Sequence, residues 1–213
     1  GDNNTINNNT AGTADFYEDY TATMYADLTE GQSYAIDVTL NGLGATGSTQ
    51  NYSGGKVYID YNIDGDFNDP GEEVGLIPYV NAATIGTPAT INFTVPTTGV
   101  YGPTRMRVVS QYLGGTNPNL STIGPCDFAG GGFGTPWYGA TEDYSIVLKT
   151  PISCTIAWTH SPVTDSVVTN LSPGFYTGII TYNTGCVFTD SAEVLEPEEL
   201  FFNATVSPIL CNN

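Results

Sequence analysis

An all-β protein of tandem β-sandwich domains, jelly-roll or Ig-like, is predicted by three features of this chain. Apolar residues alternate with polar ones in short runs, turn-forming clusters separate those runs, and no window carries helical periodicity with caps. The alternation is clear in 33–40 (Ser-Tyr-Ala-Ile-Asp-Val-Thr-Leu), 56–61, 89–95, 104–109, 142–148 and 175–182. A period of two places every second side chain on one face, so each run reads as a half-buried strand. Between them, Asn41-Gly42-Leu43-Gly44 and 114–119 (Gly-Gly-Thr-Asn-Pro-Asn) supply the positive φ angles and fixed turns that end pairing.

Composition narrows the function. The 213 residues are 40% hydrophobic, enough for a real core, yet Asp+Glu number 22 against Lys+Arg 4, a formal charge of -18. Such a field repels phosphate backbones and anionic lipid, so nucleic acid is excluded as a partner and divalent cations are favoured. No apolar run approaches the roughly 20 residues of a spanning helix, so membrane insertion is not expected. Few charges with abundant Thr, Asn, Gly and Tyr suit an extracellular β-protein. The chain opens on Gly1-Asp2 without a methionine and closes on Cys211-Asn212-Asn213 in mid-pattern, which is expected of a piece of a longer protein.

The stretch from Asp60 to Glu73 is the densest in chemistry. Asp60, Asn62 and Asp64 stand at i, i+2 and i+4, a spacing that lets a curling backbone aim three oxygens at one point, and Gly65 permits the sharp turn. Gly71 occupies the place of the twelfth-position glutamate of an EF-hand loop, Glu72 follows one residue later, and Lys56-Val57-Tyr58-Ile59 reads as strand. A strand-borne calcium loop is expected, with Asp60, Asn62, Asp64 and Glu72 as side-chain ligands and Asp66 contributing a backbone or side-chain oxygen. The alternative is a solvated acidic turn. Glu142 and Asp143 open a strand and either join a second metal site or pair with Arg105 and Arg107. Trp137 and Tyr138, beside a glycine-rich loop, can stack on sugar rings or plug the end of a sandwich.

Cys126, Cys154, Cys186 and Cys211 lack paired metal-ligand spacing, and His160 is the single histidine. Structural disulfides therefore fit better than a zinc site. A Cys154–Cys186 bond would close a loop of about 30 residues and constrain the unfolded chain by roughly 3 to 4 kcal/mol. Catalysis is not expected, since one histidine without triad context and no singled-out carboxylate pair leave little machinery.

Residues 56 to 148 resemble the GEVED domain of secreted Bacteroidetes proteins. The resemblance rests on 57–67 (Val-Tyr-Ile-Asp-Tyr-Asn-Ile-Asp-Gly-Asp-Phe), on Gly71-Glu72-Glu73-Val74-Gly75, on Thr104-Arg105-Met106-Arg107-Val108, and on Gly139-Ala140-Thr141-Glu142-Asp143-Tyr144. In the last run Ala140 and Thr141 replace the family's first Glu and its Val. Residues 5 to 40 look like the earlier strands of the same domain, giving a first domain over 1–149. Residues 151 to 213 resemble SprB-type repeats of gliding-motility adhesins, through 170–177 (Asn-Leu-Ser-Pro-Gly-Phe-Tyr-Thr), Thr184-Gly185-Cys186, Leu195-Glu196-Pro197 and Cys211-Asn212. A second domain is expected over 150–199 and the first strand of a following repeat over 200–213. Asp165-Ser166-Val167 and Asp190-Ser191-Ala192 resemble the Bacteroidetes O-glycosylation sequon, which makes Ser166 and Ser191 candidate modification sites.

The two resemblances imply export by type IX secretion and display on the cell surface, in a non-catalytic adhesin filament that serves adhesion and gliding. Neighbouring repeats and a surface polysaccharide or other adhesion target would be the partners. The alternative is a carbohydrate-binding accessory module of a secreted polysaccharide-degrading enzyme.

Overall fold

The computed structural model describes all residues except 3–4, 10–15, 42–50, 115–118, 128–138, 160, 163 and 206–213. It divides into two compact units, Gly1–Pro151 and Ile152–Asn213. Among the described residues the regular elements are strands and one short 3-10 turn, and no helix is long and apolar enough to cross a membrane.

The first unit is a β-sandwich. Its larger layer is six-stranded: β4 (Tyr52–Ile59) lies between β5 (Glu73–Val80) and β7 (Gly102–Gly114), and β8 (Ala140–Lys149) follows β7. Beyond β8 come β1 (Tyr17–Asp19) and β2 (Tyr25–Thr29), both parallel to it. They form one edge interrupted at residues 20–24, where the Tyr20 carbonyl accepts from the Thr23 and Met24 N–H groups. β3 (Ser33–Thr39) and β6 (Pro88–Thr94) pair antiparallel as the second layer.

Alternation decides what lies between the layers. Val57, Ile59, Met106, Val108, Tyr144, Ile146 and Leu148 point inward from the large sheet, meeting Ile91, Tyr34, Ile36, Val38 and Phe93 of the small one. The opposite face of the large sheet is also covered, because Tyr58, Phe67, Val109 and Ile123 form a second cluster under the 3-10 turn Leu120–Thr122. β4 is thus buried on both faces from Ser53 to Ile59, where half-burial was expected. Lys56 is accommodated there by an ion pair with Glu73 at 2.8 Å. Gly55 has no room for a side chain, since a Cβ would lie 2.3 Å from the Val109 carbonyl oxygen.

The second unit holds one three-stranded antiparallel sheet in the order β11-β10-β9, from β9 (Cys154–Trp158), β10 (Gly174–Tyr182) and β11 (Val187–Val194). A three-residue turn with Gly185 at φ 87 joins β10 to β11, the geometry that a type I turn with a left-handed closing residue provides. Among the described residues of this unit none is buried.

The expected Cys154–Cys186 bond is corrected here: both cysteines are free and exposed. Tyr182 of the central strand pairs with Cys154 on one side, and its N–H donates to the Cys186 carbonyl on the other. Two ladder spacings separate the cysteines by about 10 Å, whereas a disulfide needs Cα atoms within roughly 7 Å.

Candidate metal centre

β4 delivers Asp60 to the end of the large sheet, where its N–H donates to the Arg105 carbonyl at 3.1 Å and its carbonyl accepts from the Thr104 hydroxyl at 2.6 Å. The backbone then curls through a ladder of side-chain caps. The Asp60 carboxylate accepts from the Asp64 and Gly65 N–H groups at 3.3 and 3.1 Å. Asn62 Oδ1 accepts from Asp64 N–H, Asp64 from Asp66 N–H and Asp66 from Asn68 N–H. Short acidic and amide side chains do this because they reach the backbone two residues on. Ile63 takes φ 60 and Gly65 φ 94. A left-handed β-branched residue costs about 1 to 3 kcal/mol, which the apolar packing of Ile63 against the main core helps to offset.

The way back is a tight turn. Glu72 N–H donates to the Asp69 carbonyl at 3.2 Å, and Gly71 has φ 100. Pro70 and Gly71 thus hold the two central positions that a type II turn assigns to proline and glycine. This explains why the glutamate comes one residue later than in an EF-hand loop. Its carboxylate accepts from the Tyr61 and Asp69 N–H groups at 3.1 and 3.2 Å, so the loop wraps around it. Phe67 anchors the middle, packing on Tyr58 and lying 5.0 Å under the Arg107 guanidinium.

Carboxylate oxygens of Asp60, Asp64 and Glu72 lie within 4.8 Å of one another, as do those of Asp64, Asp66 and Asp69. Asp60 and Glu72 are only 4% and 2% exposed. Burial pushes the Glu72 carboxyl above the usual range, reinforced by the charges of Asp60 and Asp69 and opposed by its two N–H donors. Asp64 is held below that range, chiefly by the Asp66 N–H. No lysine or arginine occurs from Asp60 to Glu73. Oxygen-only donors gathered in a loop with no basic residue of its own fit a hard divalent cation such as calcium, and each carboxylate keeps lone pairs beyond its N–H bonds.

Of the five residues expected as ligands, Asp60, Asp64 and Glu72 come together and Asp66 lies with the outer group. Asn62 is turned otherwise, its Nδ2 donating to Asp64 and Asp69 at 3.0 and 2.6 Å. Asp69 was missed by the sequence reading, because an EF-hand register gives it no role and the Pro70-Gly71 turn alone brings it in.

Glu142 and Asp143 occupy opposite faces of β8. Asp143, fully buried, takes a bidentate pair from Arg107 at 2.7 and 2.8 Å, a contact from Arg105 at 3.2 Å and the Tyr17 hydroxyl at 2.9 Å. This pairing holds the Arg107 guanidinium firmly protonated. Glu142 accepts from the Tyr144 hydroxyl at 2.5 Å on the other face. Gly139 crosses so close to β7 that a Cβ would strike the Ser110 carbonyl. The run from Gly139 to Tyr144 therefore has a physical logic of close crossing, arginine acceptor and core aromatic. Residues 54–147 match the GEVED domain family. The GEVED match spans β4 through β8 and contains the acidic loop, the arginine strand and this run.

No curated protein matches the chain. Among solved structures it is similar to dimeric latent PorU from Porphyromonas gingivalis, at 14% identity and TM-score 0.27, covering 90% of this chain and 15% of that one. It is also similar to the CsuC-CsuE chaperone-tip adhesion subunit pre-assembly complex from archaic chaperone-usher Csu pili of Acinetobacter baumannii, at 13% identity and TM-score 0.29, covering 79% and 68%. The chain thus spans about a seventh of the PorU length.

Ser166 and Ser191 are both exposed, the latter sharing a 2.9 Å hydrogen bond with Thr177. Trp137, Tyr138, His160 and Cys211 lie outside the described residues.

Proposed function

We propose that this chain is a non-catalytic segment of an exported, cell-surface adhesin, in which calcium fastens the 60–72 loop to the GEVED sandwich and SprB-type repeats follow. The GEVED match supports a secreted or cell-surface module. The carrying observation is the convergence of Asp60, Asp64 and Glu72 within 4.8 Å, two of them buried and none faced by a basic residue of the loop. A bound divalent ion supplies the positive charge that lets these carboxylates stay ionised side by side.

The protein's own residues do the rest. Asp60 is held at the sheet end by its backbone bonds to β7, Glu72 closes the loop through Tyr61 and Asp69, and Phe67 fixes the loop to the second apolar cluster. Stiffening at this point ties β4, β5 and β7 together, which suits a bead in a filament under load. Thermal melts of the whole chain test this reading. Calcium at a hundredfold over its Kd should stabilise the first unit by about 2.7 kcal/mol, Asp60→Asn should abolish most of that gain, and identical melts in calcium and in chelator would end the proposal.

A further inference from the structure

The sheet of the second unit has a largely apolar face on which, among the described residues, no side chain is buried. Residues directly opposite in an antiparallel ladder share a face. The register Ile156–Ile180–Phe188 and the pair Trp158–Gly178 therefore place Ile156, Trp158, Ile180 and Phe188 on one side. The Trp158 ring lies over Gly178, where an added Cβ would meet it at 3.1 Å, which confirms the side. Further along the same chain, Leu200, Phe201 and Phe202 are 98%, 88% and 93% exposed. Three consecutive large apolar side chains in water and a half-buried sheet face, apolar apart from Asp190 beside Gly178, are complementary surfaces within one compact unit.

We infer that the segment from Leu200 to Thr205 folds over the Ile156–Trp158–Ile180–Phe188 face and supplies the missing layer of the second unit. Reach permits it: the five residues from Leu195 to Glu199 extend to about 17 Å, and a covering layer sits about 10 Å above a sheet. Sequence permits it too, because Phe202-Asn203-Ala204-Thr205 alternates as a strand does. Charge selects this occupant over a second copy of the chain. Asp165, Asp190, Glu193, Glu196, Glu198 and Glu199 have no lysine or arginine among them from residue 152 onward, and the whole chain carries -18, so two copies repel. A tethered segment also meets the face at the high effective concentration of a short linker. The inference does not depend on calcium or on adhesion.

The chain has two tryptophans, so Trp137→Phe leaves Trp158 as the sole reporter. In that background Phe201→Ser/Phe202→Ser should raise acrylamide quenching of Trp158 at least about threefold as the cover is lost, equally at low and high protein concentration. Unchanged quenching overturns the inference, whether Trp158 is open in both proteins or shielded by another part of the chain. Quenching that varies with concentration in the parent protein makes a second copy the occupant and overturns it as well. A second measurement needs no altered segment. Chymotrypsin should cut after Phe201 and Phe202 about tenfold more slowly in the native chain than in Ile156→Ser/Phe188→Ser, because protection tracks the closed population. Equal rates reject the docking.

Discussion

The large sheet of the first unit and the sheet of the second arise from the same alternating pattern, and their burial is opposite. In the first, β4 is enclosed on both faces, by the β3–β6 layer on one side and by Phe67, Leu120 and Ile123 on the other. In the second, Ile180 and Phe188 have strand neighbours beside them and no described residue above them that buries them. Alternation therefore sets which side chains share a face, whereas burial is set by what long-range pairing brings over that face. The first unit gains its cover because β2 turns at Thr29–Gly31 into β3, where Val95 and Gln32 exchange backbone bonds with the turn region.

The sharpest way to break this contrast is to attack the first unit where burial and charge coincide. Among the described residues, Asp143→Ala leaves the Arg107 guanidinium enclosed with the Pro125 carbonyl and the Phe67 ring as partners. A loss of about 3 to 5 kcal/mol is expected in denaturant unfolding followed by circular dichroism. The paired replacement Arg107→Met/Asp143→Leu should recover most of it, since two apolar side chains of similar bulk leave no charge behind.

Next in size is a matched truncation. Ile59→Ala opens a cavity in the main core and should cost about 2 to 5 kcal/mol. Phe175→Ala, on the open threonine-rich face of the second unit, should stay within about 0.5 kcal/mol. Equal costs would erase the distinction between an enclosed sheet and an open one.

Local pattern made part of this visible in advance. Alternation marks 33–40, 56–61, 89–95, 104–109, 142–148 and 175–182 as strands, and β3, β4, β6, β7, β8 and β10 lie over those runs, β7 extending beyond its run to Gly114 and β4 starting earlier at Tyr52. β5 is not so marked, because Gly75 and Pro78 interrupt it; proline is tolerated there on an edge strand. β1 and β2 were hidden for another reason, since their partner β8 lies more than a hundred residues away and short parallel pairing leaves no local trace. In the loop, Asp60, Asp64 and Glu72 followed from ligand spacing, while Asp69 required the turn geometry of Pro70 and Gly71. The cysteine pairing misled because spacing along the chain does not reveal that a strand runs between the two sulfurs.

Glycine gives a smaller test of the same contrast. Gly55→Ala forces a Cβ against the Val109 carbonyl and the Ser110 backbone, neither of which can move without breaking the β4–β7 ladder. The expected cost is about 1 to 3 kcal/mol. Gly178→Ala meets the edge of the Trp158 ring first, at 3.1 Å and a side chain rather than backbone, and should cost less than about 1 kcal/mol.

The smallest effect concerns a carboxylate on the core side of β8. Burial raises the Glu142 carboxyl above its ordinary value; the Tyr144 hydroxyl opposes that rise and the nearby Glu18 charge adds to it. An acid whose folded-state value is raised binds its proton more readily in the folded protein. Its favourable contribution is therefore fully present below the unfolded value and is lost as pH climbs through the folded one. Glu142→Gln keeps an oxygen for Tyr144 and removes the charge. The variant should melt above the parent at pH near 8 and converge with it near pH 4. A gap that persists at acid pH would mean that the glutamine acts through packing, and that the charge of Glu142 sets no part of the first unit's stability.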